Sequence, residues 1–411
     1  MEMLNLPEVA GRSAGIRFLK VFALVIVSAV ALVAAFTRFA FLQMLKPENQ
    51  TIVQLMDGWA RIYKPVLLDH SGPQVLVFGA SWARDAFDPV ASEALTGKVW
   101  FNHAVSGATP YETRRFVESS MDVSSLNTVV LNLDTFLRPD SAIRMKRGFD
   151  EALLDTDPSG NPTRWLTIQR EVAITLSGAA IGNSVEVLGA VRMRDSGADP
   201  AEYLDSFERH DFAGREVEIE RMRAAAVELD RSGGKDSMPA LAELPLPPGT
   251  AELERVLALL CQKSIDVHAY FTPSMILQGE QGRGLAATLR GLDVLAQRQR
   301  DCRANLHYYN FNYPNAVTLD GLEVRDRFSE YYRPDGHPRP ALGLLMTARM
   351  FQAAFPDGTA PEIVDAFGFD LLAVPDAEAW LRNQAFRMDR MLAATAPRSD
   401  NGVEMTRAAE F

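Results

Sequence analysis

Three residues in this sequence could together transfer an acyl group through a serine. Ser81 follows a short apolar run and a glycine within Val75–Arg84 (VLVFGASWAR). His337 stands in a loop rich in proline and glycine, Tyr331–Pro338, two residues after Asp335. Acyl transfer through a serine needs a hydroxyl nucleophile, a base that takes its proton and an acid that orients the base. Ser81, His337 and Asp335 are therefore our candidates for these three roles.

Each of these residues also has an ordinary structural explanation. A serine at a strand-to-helix turn can cap the helix, and the same turn binds phosphate in other doubly wound folds, although one glycine is no dinucleotide fingerprint. Ser106 is a rival nucleophile, but its position before Gly107 is typical of a turn. Asp335 and Gly336 form a common turn dipeptide, and His337 could be a surface residue.

Five short apolar runs predict the buried strands that would position these residues. Helical patterns lie between most of the runs, and strand–helix alternation predicts a parallel sheet with helices on both faces. In such a sheet, the loops at the carboxyl ends of the strands form the ligand crevice. Ser81 follows the first run, and the turn Asn102–Glu112 follows the second, where Gly107 permits close approach of the backbone. The predicted strands are Val75–Phe78, Val99–Asn102, Thr128–Leu133, Ile265–Phe271 and Leu306–Asn310, with helices over Tyr111–Met121, Ala251–Lys263 and Leu285–Arg303.

The histidines differ in where these elements place them. His268 and His307 fall inside predicted strands and are interpreted as structural, whereas His103 lies near the second turn and could line the pocket. His337 alone has a neighbouring carboxylate in a loop that should reach the crevice. It is therefore the preferred base.

A long insertion interrupts the strand–helix alternation between Leu137 and Leu246. A crossover between parallel strands needs only about a dozen residues. Helical patterns within the insertion, at Trp165–Leu176, Val187–Arg194 and Glu216–Leu229, predict a helical subdomain or a lid over the site. We divide the chain into a cytoplasmic N-terminus (1–20), a transmembrane anchor (21–42), a juxtamembrane helix (46–72), an α/β domain in two parts (73–136 and 247–356), the helical insertion (137–246) and a C-terminal helical extension with a flexible tail (357–411).

The N-terminal region predicts a single transmembrane helix. Val21–Phe36 is a run of sixteen residues without charge, and the apolar residues beside it extend it to the roughly 20 residues that span a bilayer. Arg12, Arg17 and Lys20 precede the run, which favours a cytoplasmic N-terminus and an exported remainder. A cleaved signal peptide is the competing interpretation.

Composition excludes several classes of function. The formal net charge is −11 and no concentrated basic surface is evident, so we expect no nucleic-acid partner. Histidines and carboxylates show no metal-ligand spacing, so we expect no metal. The two cysteines, Cys261 and Cys302, either pair in an oxidising compartment or are buried thiols.

The chain resembles the SGNH (GDSL-type) esterases and acyltransferases in three motif blocks. These are Gly-Ala-Ser81 after the first strand, the turn around Gly107, and the late aspartate and histidine. Asn102–Glu112 and His337–Gly343 are similar to segments of membrane-anchored periplasmic members of bacteria. The resemblance covers roughly Gln74–Asp134 and Ile265–Phe355. It implies a flavodoxin-like, doubly wound parallel sheet of five strands.

The resemblance also implies roles for individual residues. Ser81 would be the nucleophile, with its own backbone N–H and that of Gly107 forming the oxyanion hole. His337 would be the general base, oriented by Asp335. The family spaces this acid three residues before the histidine, and Pro334 stands at that position here.

Further site residues follow from the end of the third strand and from the turn after the first. The family's third-block asparagine aligns with Leu133, so Asn132 is the nearest substitute donor to the oxyanion. Losing such a donor costs about 10²–10³ in rate in other enzymes. Asp134 is a candidate for lining the pocket or a helix cap, and Arg84 is a candidate for substrate contact or a surface residue.

The implied function is a membrane-anchored serine esterase or O-acyltransferase, acetyl being the expected acyl group. The expected substrate is acylated carbohydrate of the cell envelope or an exported polysaccharide. The chain would sit in a bacterial inner membrane with its bulk in the periplasm, without a cofactor. A transferase would need a membrane partner that delivers acyl groups. The alternative is a non-catalytic SGNH-like protein that binds polysaccharide or scaffolds an envelope assembly, which the departures at Pro334 and Leu133 favour.

Overall fold

The computed structural model of the chain forms two compact units. It describes residues 8–55, 60–137, 149–154, 156–157, 166–198, 246–273, 281–302, 305–320, 329–333, 336–384 and 387. Unit 1 comprises the described residues within Met1–Ser71 and Asp150–Ser206, and unit 2 those within Gly72–Phe149 and Phe207–Phe411. The predicted helix Glu216–Leu229 and, in the predicted C-terminal extension and tail, residues 385–386 and 388–411 lie outside the described residues.

The helices are α1 (Glu8–Met44), α2 (Gln50–Leu55), α3 (Ala60–Ser71), α4 (Ser81–Ala86), α5 (Pro89–Thr96), α6 (Pro110–Ser119), α7 (Asp134–Leu137), α8 (Leu166–Thr175), α9 (Gly178–Asp195), α10 (Thr250–Gln262), α11 (Gln281–Gln299), α12 (Pro340–Met350) and α13 (Pro361–Ala366). The strands are β1 (Val75–Phe78), β2 (Trp100–Asn102), β3 (Thr128–Asn132), β4 (Asp266–Phe271), β5 (Leu306–Asn310) and β6 (Phe369–Asp370).

Unit 1 is built around α1, whose two halves have different surroundings. From Gly15 to Met44 this helix is long and apolar enough to span a membrane, which agrees with a single-pass anchor. Most of its apolar side chains up to Leu32 are exposed. From Thr37 onward one face is buried, with Phe41 and Met44 in the core of the unit. The helix therefore continues past its apolar run into a packed bundle.

The described part of the insertion packs in this bundle. The Thr37 hydroxyl donates a hydrogen bond to the Thr175 carbonyl of α8 at 2.9 Å. Arg170 of α8 forms an ion pair with Asp69 of α3 and donates from Nε to the Leu153 carbonyl at 2.9 Å. The sequence predicted a helical subdomain or a lid, and α8 and α9 form part of a helical unit with α1 and α3.

Unit 2 is a mixed α/β unit around a six-stranded sheet with the order β2-β1-β3-β4-β5-β6. Strands β1 to β5 are parallel, and β6 pairs antiparallel with β5. All five predicted strands are present, with ends within one residue of the prediction. The predicted count of five strands is wrong, because β6 consists of only Phe369 and Asp370 and is too short to show a strand pattern.

The order of the strands reverses beside β1. Strand β2 lies on one side of β1 and β3 on the other, so connections leave β1 and β3 in opposite directions. Ligands of open α/β sheets bind at the carboxyl ends of the strands at such a reversal. All four residues of β1 are buried, and the strand ends at Gly79. Ser81 therefore starts α4 at this end of the sheet.

The two cysteines are joined in a disulfide bond. Cys261 lies near the end of α10 and Cys302 follows α11, with their Cα atoms 5.1 Å apart. Pairing is therefore the alternative that the structure adopts. The bond ties together the two helices that flank β4 in the sequence.

Candidate active site

The hydroxyl of Ser81 lies next to the imidazole of His337. The distance from Ser81 Oγ to His337 Nε2 is 3.0 Å, although the residues are 256 positions apart in the sequence. This is hydrogen-bond distance, and Nε2 accepts from the hydroxyl in the tautomer that carries its proton on Nδ1. The N-cap of α4 is Ala80, without a side-chain cap, so Ser81 does not serve as the cap of this helix.

Gly79 lets the chain turn sharply from β1 towards Ser81. A Cβ atom at Gly79 would lie 2.6 Å from the Cβ of Asn132 and 2.8 Å from that of Ala83. Distances this short exclude any side chain. The glycine therefore brings the start of α4 against the end of β3.

A tight hairpin carries His337. Tyr332 and Pro338 pair as an antiparallel bridge, and the Arg333 N–H donates to the His337 carbonyl at 2.7 Å. The turn closes with the Gly336 N–H donating to the Arg333 carbonyl at 2.9 Å. Gly336 has a φ of +83°, a conformation that favours glycine. Pro334 and Asp335 lie outside the described residues, so the role of Asp335 stays a prediction.

Helix α12 brings the hairpin to α4. A Cβ atom at Gly343 would lie 1.7 Å from the carbonyl oxygen of Ala86. The two helices therefore touch through backbone at this point, and only glycine fits between them. Because α12 begins directly after the hairpin, this close contact helps to hold His337 beside Ser81.

The turn at Gly107 lies beside the end of β1. The Val105 N–H donates to the Gly79 carbonyl at 3.1 Å, and the turn closes with the Ala108 N–H donating to the Val105 carbonyl at 3.1 Å. Gly107 has a φ of +58°, as the third residue of a type II turn requires. Within the described part of the chain, the backbone N–H groups of Ser81 and Gly107 donate to no other group. They are the candidate oxyanion donors.

Asp85 connects this turn to the hairpin that carries His337. Arg84 donates from Nε to Asp85 Oδ1 at 2.6 Å and from Nη1 to the Ser106 hydroxyl at 2.6 Å. The second carboxylate oxygen of Asp85 accepts from Arg333 Nη1 at 3.3 Å. Arg84 is 6 % exposed and Asp85 is 3 % exposed. Arg84, predicted as a substrate contact or a surface residue, is not on the surface and holds the turn of Ser106, the rival nucleophile, in a buried network.

Asn132 and Asp134 connect the ends of β3 and β4. The Asn132 amide donates to Asp134 Oδ2 and to the Thr272 hydroxyl, both at 2.8 Å. Asp134 also accepts from the Thr272 N–H at 3.0 Å. Asn132 is fully buried, and both hydrogens of its amide are used in these bonds. In this arrangement it has no hydrogen left to donate to an oxyanion.

Sequence reasoning missed three residues around the site. The ring of Trp82 meets the His337 ring edge-on, with 5.9 Å between the ring centroids. Its adjacency to Ser81 was the available signal. No signal in the sequence pointed to Asp85 and Arg333, because their contact depends on how the hairpin docks on α4.

A second group of histidines lies within the sheet. His307 Nδ1 is 2.7 Å from Asp370 Oδ2, and this hydrogen bond raises the pKa of His307. His268 stacks on His307, with ring centroids 5.0 Å apart. Burial, together with the positive charges of His307 and Lys98, lowers the pKa of His268 to about 3. His103 packs between Phe78 and Phe116.

Among the described residues, no group of three or more histidine, cysteine, aspartate or glutamate side chains could hold a metal ion. Comparison with models of known protein families gives no match, and a search of curated proteins also gives none. The resemblance to the SGNH proteins therefore rests on the motifs of the sequence.

Proposed function

We propose that this protein is a membrane-anchored serine esterase or O-acyltransferase of the SGNH type. The observation that carries the proposal is the 3.0 Å distance between Ser81 Oγ and His337 Nε2. Two separate elements bring these groups together, at the end of the sheet where α/β proteins bind ligands. A hydroxyl bonded to an imidazole in such a place is arranged for nucleophilic catalysis.

The proposed reaction uses these groups in sequence. His337 Nε2 takes the proton of Ser81 Oγ as the oxygen attacks the carbonyl carbon of an ester. The N–H groups of Ser81 and Gly107 stabilise the negative oxygen of the tetrahedral intermediate. The protonated imidazole then gives its proton to the leaving alkoxide, and an acyl-serine forms. Water or a sugar hydroxyl, deprotonated by His337, completes the cycle, with Asp335 orienting the imidazole throughout.

The substrate class and location rest on the resemblance and on α1. We propose acylated carbohydrate of the cell envelope or an exported polysaccharide, with acetyl as the acyl group. The Cys261–Cys302 disulfide supports a periplasmic location of unit 2, because disulfides persist in oxidising compartments. The strand order 2-1-3-4-5 within the sheet supports the flavodoxin-like arrangement of SGNH proteins. A transferase would also need a membrane partner that supplies acyl groups.

A test compares the full-length wild type with Ser81→Ala in detergent. We expect a fluorophosphonate to label the wild type at Ser81, identified by mass spectrometry of the peptide, and p-nitrophenyl acetate to be hydrolysed. Ser81→Ala should lose both signals. The control Ser196→Ala removes an exposed hydroxyl at the end of α9 and should keep both. Equal labelling and hydrolysis by wild type and Ser81→Ala would overturn the enzyme proposal.

One observation favours a non-catalytic, polysaccharide-binding protein as the second candidate. The hydrogens of the Asn132 amide are both used within the sheet, so the oxyanion hole would rely on two backbone N–H groups. This candidate predicts that wild type and Ser81→Ala retain polysaccharide equally in a binding assay while neither reacts with the fluorophosphonate. Labelling of Ser81 decides for the enzyme.

A further inference from the structure

Helix α8 and the start of α9 expose a stripe of large apolar side chains. Each of the five is between 41 % and 61 % exposed. The three on and directly after α8 recur every fourth residue, so they lie on one side of the helix. A contiguous exposed apolar surface marks a binding site for a membrane or a protein. The five residues, named here the apolar stripe, are Ile168, Val172, Leu176, Ile181 and Val185.

Helix α8 buries a charged residue while it exposes apolar ones, although Ile174, 1 % exposed, also lies on its inward face. Its inward face carries Arg170, which is 7 % exposed and held by Asp69 and by the Leu153 carbonyl. Tyr63 also meets this face, donating from its hydroxyl to the Ile174 carbonyl at 3.4 Å. A helix in water turns its charged residues outward and its apolar residues inward. The outward apolar stripe would therefore be stabilised by an apolar neighbour that removes it from water.

The position of α8 along α1 identifies this neighbour. The end of α8 contacts α1 at Thr37, through the bond to the Thr175 carbonyl, and at Arg38, whose Nη1 lies 3.3 Å from a carboxylate oxygen of Glu171. These are the first residues after Phe36, where the uncharged run of α1 ends. If α1 crosses the bilayer, this level is the boundary between hydrocarbon and headgroups.

Apolar exposure on α1 continues past this level. Phe39 is 54 % exposed and Leu42 is 51 % exposed, beyond the end of the uncharged run. Lipid contact therefore does not stop sharply at Phe36. With ten residues, α8 alone is far too short to span a bilayer. Together with α9 it is long and apolar enough for a span bent by 60°, but its charged residues Arg170 and Glu171 favour the interface, where a helix lies with its apolar side towards the acyl chains.

We propose that α8 and the first turns of α9 lie in the headgroup region of the membrane that α1 spans, with the apolar stripe against lipid. The inference rests on the proposed membrane anchor. The occupant of the stripe is the bilayer itself, because the neighbouring surface of α1 is already lipid-facing and the contacts with Thr37 and Arg38 fix α8 at its edge.

The test places an environment-sensitive fluorophore (NBD) on single cysteines in the full chain, reconstituted into nanodiscs containing nitroxide lipids. The native cysteines are paired and do not react with the label. The probe positions are Val172→Cys and Leu176→Cys. Val27→Cys, exposed in the middle of α1, is the control for the anchor, and Asp195→Cys, exposed at the far end of α9, is the control in water.

We expect Val172 and Leu176 probes to emit at shorter wavelength than the Asp195 probe and to lose emission to nitroxides near the headgroups. The Val27 probe should lose more emission to nitroxides deep in the acyl chains than to nitroxides near the headgroups. Quenching at Val27 with water-like emission at Val172 and Leu176 would overturn the inference alone. Short-wavelength emission without lipid quenching would also overturn it, because protein would then cover the stripe. A Val27 probe that lipid nitroxides do not quench would overturn the anchor together with the inference.

Discussion

The two histidine sites of unit 2 differ in what the imidazole faces. His337 stands in a hairpin outside the sheet, and its Nε2 lies against the hydroxyl of Ser81. His307 stands within β5, and its Nδ1 lies against the carboxylate of Asp370. Both are close, well-formed pairs. Proximity of a histidine to a polar group is therefore not what distinguishes a candidate active site from a structural pair.

The partner and the location make the distinction. A carboxylate partner stabilises the protonated imidazole, which raises the pKa of His307 and leaves no nucleophile for it to activate. A hydroxyl partner is itself a nucleophile once its proton is removed. Ser81 also stands at the carboxyl end of β1 beside the Gly107 turn, whereas the His268–His307 stack lies within the strands.

The largest expected effect is the loss of the proposed esterase activity in His337→Gln. Removal of a general base costs about 10²–10⁴ in kcat/KM. The matched variant His307→Gln removes the other close histidine pair of the unit and should keep kcat/KM within a few-fold of wild type. Both are measured with p-nitrophenyl acetate at one pH. A comparable loss in His307→Gln would contradict the division into a catalytic and a structural site.

A smaller loss of rate is expected for Asp85→Asn. The carboxylate of Asp85 connects Arg84, and through it the Ser106 turn, to Arg333 of the hairpin. Losing its charge leaves two arginines without their shared partner and lets the two halves of the site shift. A misplacement of about 1 Å costs about 10²-fold in rate, so we expect kcat to fall by about 10–100-fold with little change in KM.

Asp370→Asn is the matched variant for this test. It removes the carboxylate of the other histidine pair, so it should lower the melting temperature while leaving kcat unchanged. Asp85→Asn should lower both, because breaking a buried ion pair typically costs about 3–5 kcal/mol in stability. If both variants lose stability but keep kcat, Asp85 does not position the site.

Much of the sheet could be predicted from the sequence, because its strands are short runs of apolar residues that stop at turn residues. Val75–Phe78 and Leu306–Asn310 were predicted at their observed ends. Strand β6 could not be, since two residues carry no periodicity. A helical pattern at Trp165–Leu176 also predicted α8, but such a pattern does not show which elements the helix packs against, because its partners in unit 1 depend on tertiary contacts.

The residues of the site that could be predicted are those with a signal in the neighbouring sequence. Ser81 and His337 follow strand ends or lie in turn-rich loops, where the sequence marks a crevice. The network around Asp85 has no such signal, because it joins residues almost 250 positions apart. It depends on the contact of Gly343 with Ala86, which only the folded chain reveals. Asp335, predicted to orient His337, stays a prediction.

The smallest expected effect concerns how stability depends on pH in the His268–His307 stack. Burial lowers the pKa of His268 from 6.5 to about 3, so its contribution to stability is fully present above about pH 6.5 and is lost as the pH falls. The bond to Asp370 raises the pKa of His307, so its contribution is fully present below about pH 6.5 and is lost as the pH rises through the folded pKa. The contributions of the two histidines to stability therefore change with pH in opposite directions.

Variants that remove one histidine at a time should expose these opposite slopes. Thermal or urea unfolding between pH 7.5 and 5.5 gives the change in stability on acidification. On acidification, His307→Gln should lose more free energy of unfolding than wild type, because only His268 then responds to pH. The loss from His268 is up to about 1.4 kcal/mol per pH unit below its ordinary pKa. His268→Phe, which keeps an aromatic ring in the stack, should lose less than wild type. Using the difference from wild type cancels the other titrating groups, so slopes that match wild type in both variants would show that neither imidazole is perturbed by its surroundings.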